Sequence, residues 1–239
     1  MKASLVFATA LLVVGTAVRP PAQDAIERHG ADLRAHRSDD ASRRALRAIA
    51  DQPGTSIEAY ERIRSLLRQF PALTKAEIAR TGEPGQKLMV SGVIRDPRGN
   101  PISSAVLHVF QTDAQGHYTR ERVMDEPHAR LFDFIQTGAD GRFEFTTIRP
   151  GGYPGRPDRQ GEQWRIPSHV HFEIDAPGFA HRSFQMVFDD DERMTPYWHE
   201  WAKKGRHPVV HVTRGPDGGD RVVHDVTLQS TGPVPRQYP

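Results

Sequence analysis

His169 and His171 lie one residue apart in the run Pro167-Ser-His-Val-His-Phe172. On a strand, residues i and i+2 share a face, so both imidazoles can reach a single ion. The chain has no cysteine, so a metal would rest on His, Tyr or carboxylate. With 12 His in 239 residues, a chance pair at this spacing is expected about as often as not, and the pair alone decides nothing. Two tyrosines add weight. Tyr118 closes Gln111-Thr-Asp-Ala-Gln-Gly-His-Tyr118, and Tyr153 closes Ile148-Arg-Pro-Gly-Gly-Tyr153, each just past a predicted strand. A strand-end Tyr is commonly half-buried packing with its hydroxyl in water. As ligands both would be phenolates, because a highly charged cation can pull a phenol pKa of about 10 far down. Two anionic oxygens and two neutral imidazoles suit Fe(III) better than Zn(II) or Cu(II), matching hard ligands to a hard ion.

The elements that must position these residues divide the chain in two. Residues 23–84 read as a short α-helical N-terminal segment. Thr55-Ser-Ile-Glu58 and Thr74-Lys-Ala-Glu77 match the capping box, in which a hydroxyl and a carboxylate satisfy free backbone N–H groups. Ile57, Tyr60, Ile63, Leu66, Leu67 and Phe70 recur at helical spacing and predict one apolar stripe, packed on the main domain or forming a homodimer contact. The Arg-rich run Asp39–Asp51 reads as a solvated face. Residues 85–232 read as strands: Leu88–Ile94, Ala105–Thr112, Arg142–Ile148, His169–Asp175, Ser183–Phe188, Val209–Thr213 and Val222–Leu228. Turn-rich stretches such as Asp96-Pro-Arg-Gly-Asn-Pro101 separate them. The expectation is a mainly β protein with an antiparallel β-sandwich catalytic domain. Tyr153 to Pro167 shows no periodicity and reads as a long functional loop.

Composition narrows the function classes. Lys2 and Arg19 account for the formal charge of +2, and without residues 1–22 there are 30 basic and 30 acidic side chains. No Lys/Arg stripe marks a nucleic-acid surface. Lys2, the uncharged apolar run Ala3–Val18 and small-residue cleavage sites at Gly15-Thr-Ala17 and Pro20-Pro-Ala22 read as a secretory signal peptide over residues 1–22. This predicts a periplasmic or extracellular protein with no membrane segment after cleavage and a short tail at 233–239. There is no phosphate-cradling glycine loop and no internal repeat.

The stretches Gly92–Val106, Val109–Tyr118, Thr137–Pro154, Pro167–Phe172 and Phe184–Phe188, in this order, resemble the intradiol ring-cleavage dioxygenases. The resemblance covers about residues 87–190, and Val223–Leu228 resembles the family's closing strand. It implies a non-haem Fe(III) enzyme in which Tyr118, Tyr153, His169 and His171 hold the metal. It implies catecholic or phenolic substrates and O2 as partners, with Tyr153 leaving the metal to take a substrate proton and a muconate-type diacid as product. Gln185 matches a Gln that lines the family site. Two positions depart from the pattern. The family's Arg three residues before the first His is Ile166 here, with Arg165 one residue further back as the candidate substitute. The aromatic residue expected two places after the second Tyr is Gly155, which predicts a wider pocket. Arg156, Arg159 and Arg165 could draw a carboxylated substrate. Two rivals stand beside this reading: a non-catalytic transthyretin-like or carboxypeptidase-regulatory-like binding module, and a cupin-like metal dioxygenase using Glu173 or Asp175.

Overall fold

The computed structural model describes residues 21–36, 39–120, 125–157 and 163–231. The signal segment up to residue 20, Arg159 and the tail 233–239 lie outside the described residues. Three helices come first: α1 (Pro21–Ala35), α2 (Asp40–Ala50) and α3 (Ile57–Gln69). The cap of α3 is Ser56, whose Oγ accepts from Ala59 N at 3.2 Å. Thr55, the expected cap, instead donates its hydroxyl to Ile49 O at 2.7 Å.

The second capping box is not a helix. Thr74 adopts φ +59° between β1 (Ala72–Leu73) and β2 (Lys75–Glu77). β1 pairs with Leu131–Gln136 of one sheet and β2 with Arg142–Ile148 of the other. Thr74 N donates to Gln136 O and Thr74 O accepts from Glu144 N, so tertiary pairing overrides the local helix signal. Six residues assigned to the helical segment thus belong to the sandwich.

The remaining strands are β3 (Lys87–Arg95), β4 (Val106–Gln111), β5 (Leu131–Gln136), β6 (Arg142–Ile148), β7 (Tyr153–Pro157), β8 (Gln163–Ile166), β9 (His169–Asp175), β10 (Arg182–Phe188), β11 (Val209–Val210), β12 (Thr213–Arg214), β13 (Asp220–Val223) and β14 (Val226–Thr227). One sheet runs β1-β5-β4-β9-β10-β11, the other β12-β13-β3-β6-β2 with β14 also on β3. The long strands pair antiparallel as expected. Short strands β1, β2, β11, β13 and β14 join parallel, so both sheets are mixed. Leu107, Val109, Val170, Phe172, Ile174, Phe184 and Met186 of the first sheet meet Leu88, Val90, Phe143 and Phe145 of the second in one core. Period-two alternation sends His108, Phe110, Phe132, Phe134, His169 and His171 to the other face of the first sheet.

That outer face is covered by the helices. Tyr60, Ile63, Leu67 and Phe70 of the predicted stripe pack there with Phe132 and Phe134, so the stripe meets its own chain. The Arg-rich run is not solvated. Arg43 and Arg47 are both buried on Asp133 of β5, and they also donate to the carbonyls of Phe70, Phe134, Glu77 and Ile78. A guanidinium has five donors, and strand ends leave carbonyls free, so the helices dock through charge as well as through apolar area. Among the elements unseen in the sequence are β5 and α4 (Pro196–Gly205), the latter between β10 and β11.

Candidate metal centre

β9 carries His169 and His171 on the outer face, both buried. The two tyrosines come from turns stacked on one another. After β4, Asp113 Oδ1 accepts from the backbone N–H groups of Gln115 and His117, both at 3.0 Å, which closes a tight loop through Gly116 at φ +87°. A Cβ on Gly116 would stand 2.6 Å from Gly152 O, and one on Gly151 would stand 2.4 Å from Ala114 O. Gly151 N donates to Asp113 O at 2.7 Å and Thr112 Oγ1 donates to Gly151 O at 2.8 Å. The glycines therefore let two backbone turns touch, and this contact brings Tyr118 and Tyr153 together.

Their hydroxyls are 3.1 Å apart. Tyr118 Oη lies 2.8 Å from His171 Nε2 and 3.3 Å from His169 Nε2. Tyr153 Oη is 3.5 Å from His169 Nε2, and the two imidazole Nε2 atoms are 3.1 Å apart. Donors about 2.0–2.1 Å from one ion stand about 2.9 Å apart at 90° and about 3.5 Å apart at 120°. The four atoms have the spacing of ligands around a single cation. His169 Nδ1 lies 2.7 Å from Pro167 O, so its proton sits there and the Nε2 lone pair faces inward. That lone pair, 3.1 Å from His171 Nε2, is placed to share a cation with it.

Electrostatics agree with the geometry. Burial pushes His169 down to about 4, with the Pro167 carbonyl opposing. Burial, then the His169 charge, pushes His171 well below its usual value. Both rings are neutral at neutral pH, the form in which an imidazole can bind a cation. Burial pushes both phenols up, so only a strongly charged cation makes them anionic here. Among the described residues no cluster of three or more His, Cys, Asp or Glu could hold a metal, so a cation here would need the two phenols as well as the two imidazoles.

The other predicted residues fall differently. Gln185 pairs with His171 across β9–β10, on the same face and half-buried, and its backbone N–H donates to His207 Nδ1 at 2.9 Å. Arg165 is not brought to the donors. It pairs with Pro154 in the β7–β8 hairpin, while Ile166 pairs with Tyr153. Ile166 packs on the cluster that holds both tyrosines, and Arg165 is exposed. The expected loop is thus a hairpin whose alternation turns the guanidinium outward. Neither cupin-type carboxylate joins the site. Glu173 bonds His108 Nδ1 at 2.9 Å, and Asp175 pairs with His181 at 2.8 Å and Arg68 at 3.2 Å. Glu126, which no local spacing announces, brings Oε1 to 3.6 Å from His171 Nδ1. Its carboxyl is raised by burial and then by Glu173.

A family model described as Dioxygenase matches residues 71–229, from the start of β1 to just past β14. Catechol 1,2-dioxygenase 2 of Acinetobacter lwoffii is 30% identical over 141 residues, 55% of this chain and 50% of that one. The protocatechuate 3,4-dioxygenase beta chain of Burkholderia cepacia is 35% identical over 127 residues, 50% of this chain and 52% of that one. The chain belongs to the intradiol ring-cleavage dioxygenase family. It spans about half the length of these two relatives. Catechol 1,2-dioxygenase from Pseudomonas arvilla C-1 superposes with a TM-score of 0.56 at 24% identity, over 67% of this chain and 58% of that one. 3-Chlorocatechol 1,2-dioxygenase from Rhodococcus opacus 1CP gives 0.54 at 17%, over 87% and 96%. At those identities the superpositions speak for the fold of this intradiol-family chain.

Proposed function

We propose that the chain is a non-haem Fe(III) dioxygenase that opens a catechol-type ring between its hydroxyl-bearing carbons, placing both atoms of O2 in a muconate-type diacid. The convergence of four donor atoms, two phenolic and two imidazole, within 3.5 Å of their neighbours carries this reading. Tyr118, Tyr153, His169 and His171 would hold ferric iron, which would supply the electron demand that makes a catecholate reactive towards O2.

The residues divide the remaining work. Tyr118 touches all three other donors and acts as the anchor. Tyr153 Oη touches two of them, at 3.1 and 3.5 Å, and would be the less constrained donor, the one free to act on substrate. A phenolate whose pKa is raised by burial is a strong base, so its Oη takes a catechol proton. Ile166 beside Tyr153 and Gly155 two places on leave that wall apolar and small, which suits an uncharged or bulkier ring over a carboxylated one. The apolar N-terminal run supports export to the periplasm or outside the cell, tested by fractionating producing cells.

The deciding experiment is an iron assay with a visible spectrum of the purified protein, wild type and Tyr153→Phe, followed by oxygen uptake with catechol. Wild type should be wine-red from tyrosinate-to-iron charge transfer, with about one iron per chain, and the variant weaker or shifted in colour. A colourless protein that cannot be loaded with ferric iron overturns the reading and returns the sandwich to a binding role.

A further inference from the structure

The two histidine ligands are held by different means. His169 is fixed in its plane by a hydrogen bond from Nδ1 to Pro167 O. The Nδ1 of His171 has no such partner among the described residues, since Glu126 at 3.6 Å is beyond hydrogen-bond reach. What meets His171 is a ring: Phe110, opposite it on β4, lies parallel at 4.3 Å between centroids and 10°. The stack continues. His108 covers the next position at 4.8 Å from Phe110, and Phe134 of β5 closes the column at 4.4 Å and 12° from His108. Glu173 pins His108 through its Nδ1 at 2.9 Å.

His108 is an odd occupant of such a column. It is 6% exposed, burial depresses its pKa, and among the described residues its Nε2 is buried with no hydrogen-bond partner. An orphaned buried nitrogen is destabilising, and an apolar ring would avoid it. An apolar ring would also lack the Glu173 tether and be free to tilt.

We propose that His108, tethered by Glu173, is a positioning residue for His171: it braces Phe110 against the His171 ring and sets the plane in which Nε2 meets the other donors. This rests on His171 being a metal ligand. Groups that orient a liganding histidine typically change metal affinity 10–100-fold when removed, and here the orienting contact is a stack in place of a hydrogen bond.

The test uses the full chain with three variants, His108→Ala, Phe110→Leu and Glu173→Gln. Ferric iron retention against a chelator and the position of the visible band are read on loaded protein. The His171 ring resonances are read by NMR on metal-free protein. His108→Ala and Phe110→Leu should each weaken retention about tenfold or more, move the band, and displace the His171 resonances while His169 stays in place. Glu173→Gln, which keeps a polar tether, should fall between them and wild type. Retention, band and His171 resonances unchanged in whichever of the first two variants folds would overturn the brace. If wild type takes up no iron yet His171 moves with residue 108, the brace stands and the iron reading falls.

Discussion

The two faces of the β5-β4-β9-β10 sheet are built from the same strands, residue by residue in alternation, and they obey different rules. The inner face presents Leu107, Val109, Leu131, Ile135, Val170, Phe172 and Ile174 to the opposite sheet, with Asp133, which pairs with Val109, as its charged exception, held by the helix arginines. Its demand is volume, and many apolar sets would meet it. The outer face holds His108, Phe110, Phe132, Phe134, His169 and His171, and nearly every residue there has a named partner at a defined distance or angle. Only one face is an undifferentiated core. The other is a set of specific contacts under a helical cover, and the candidate metal centre sits there because a core that tolerates rearrangement cannot hold four donors to within a few tenths of an ångström.

The largest effect that would separate the two faces is on the helical cover. Asp133→Ala leaves Arg43 and Arg47 as buried charges with carbonyl partners but without their shared carboxylate, and should cost about 3–5 kcal/mol in urea unfolding. A cost below about 1 kcal/mol would mean that water reaches these arginines and that the cover docks by apolar contact alone.

Asp191 offers a smaller and pH-dependent test near the outer face. Burial pushes its carboxyl up, but hydrogen bonds from Ser168 Oγ, Arg193 N and Ser168 N outweigh this and leave the pKa below the ordinary range. A carboxyl lowered on folding stabilises above its unfolded pKa and loses that contribution as pH falls through the folded value. Asp191→Asn should therefore lower the melting temperature at pH 7 by the equivalent of about 1.5–3 kcal/mol. The gap should be constant down to about pH 5 and close below about pH 4. A gap that widens in acid has the wrong sign and refutes the assignment.

On the inner face, Leu107→Met preserves volume and should cost less than about 1.5 kcal/mol while leaving iron retention at the wild-type level. A loss of iron there would show that the two faces are coupled through the strand. The smallest effect belongs to Arg165→Ala, expected within about 0.5 kcal/mol of wild type because the side chain is exposed, with oxygen uptake unaltered. A tenfold fall in turnover would restore Arg165 as a substrate-facing group.

Much of this was legible in one dimension. His-x-His on a strand, tyrosines just past strand ends and glycines ahead of them are short-range patterns, and β9 begins and ends where alternation places it. Other elements defeated the same reading. β5 has five of six residues buried, so it has no polar face to betray a period of two. Thr74-Lys-Ala-Glu77 carries a helix-start pattern but is claimed by two sheets at once. Arg43 and Arg47 look like a solvated face until Asp133, about ninety residues on, is placed against them.

The identities of the four donors and the local geometry of each were determined by the sequence itself, because strand alternation and glycine turns act over a few residues. Their convergence, the outward turn of Arg165, the docking of the helices on Asp133 and the ring column behind His171 were decided only in the tertiary structure. Each of these depends on which strand lies beside which, and therefore on residues far apart in the chain.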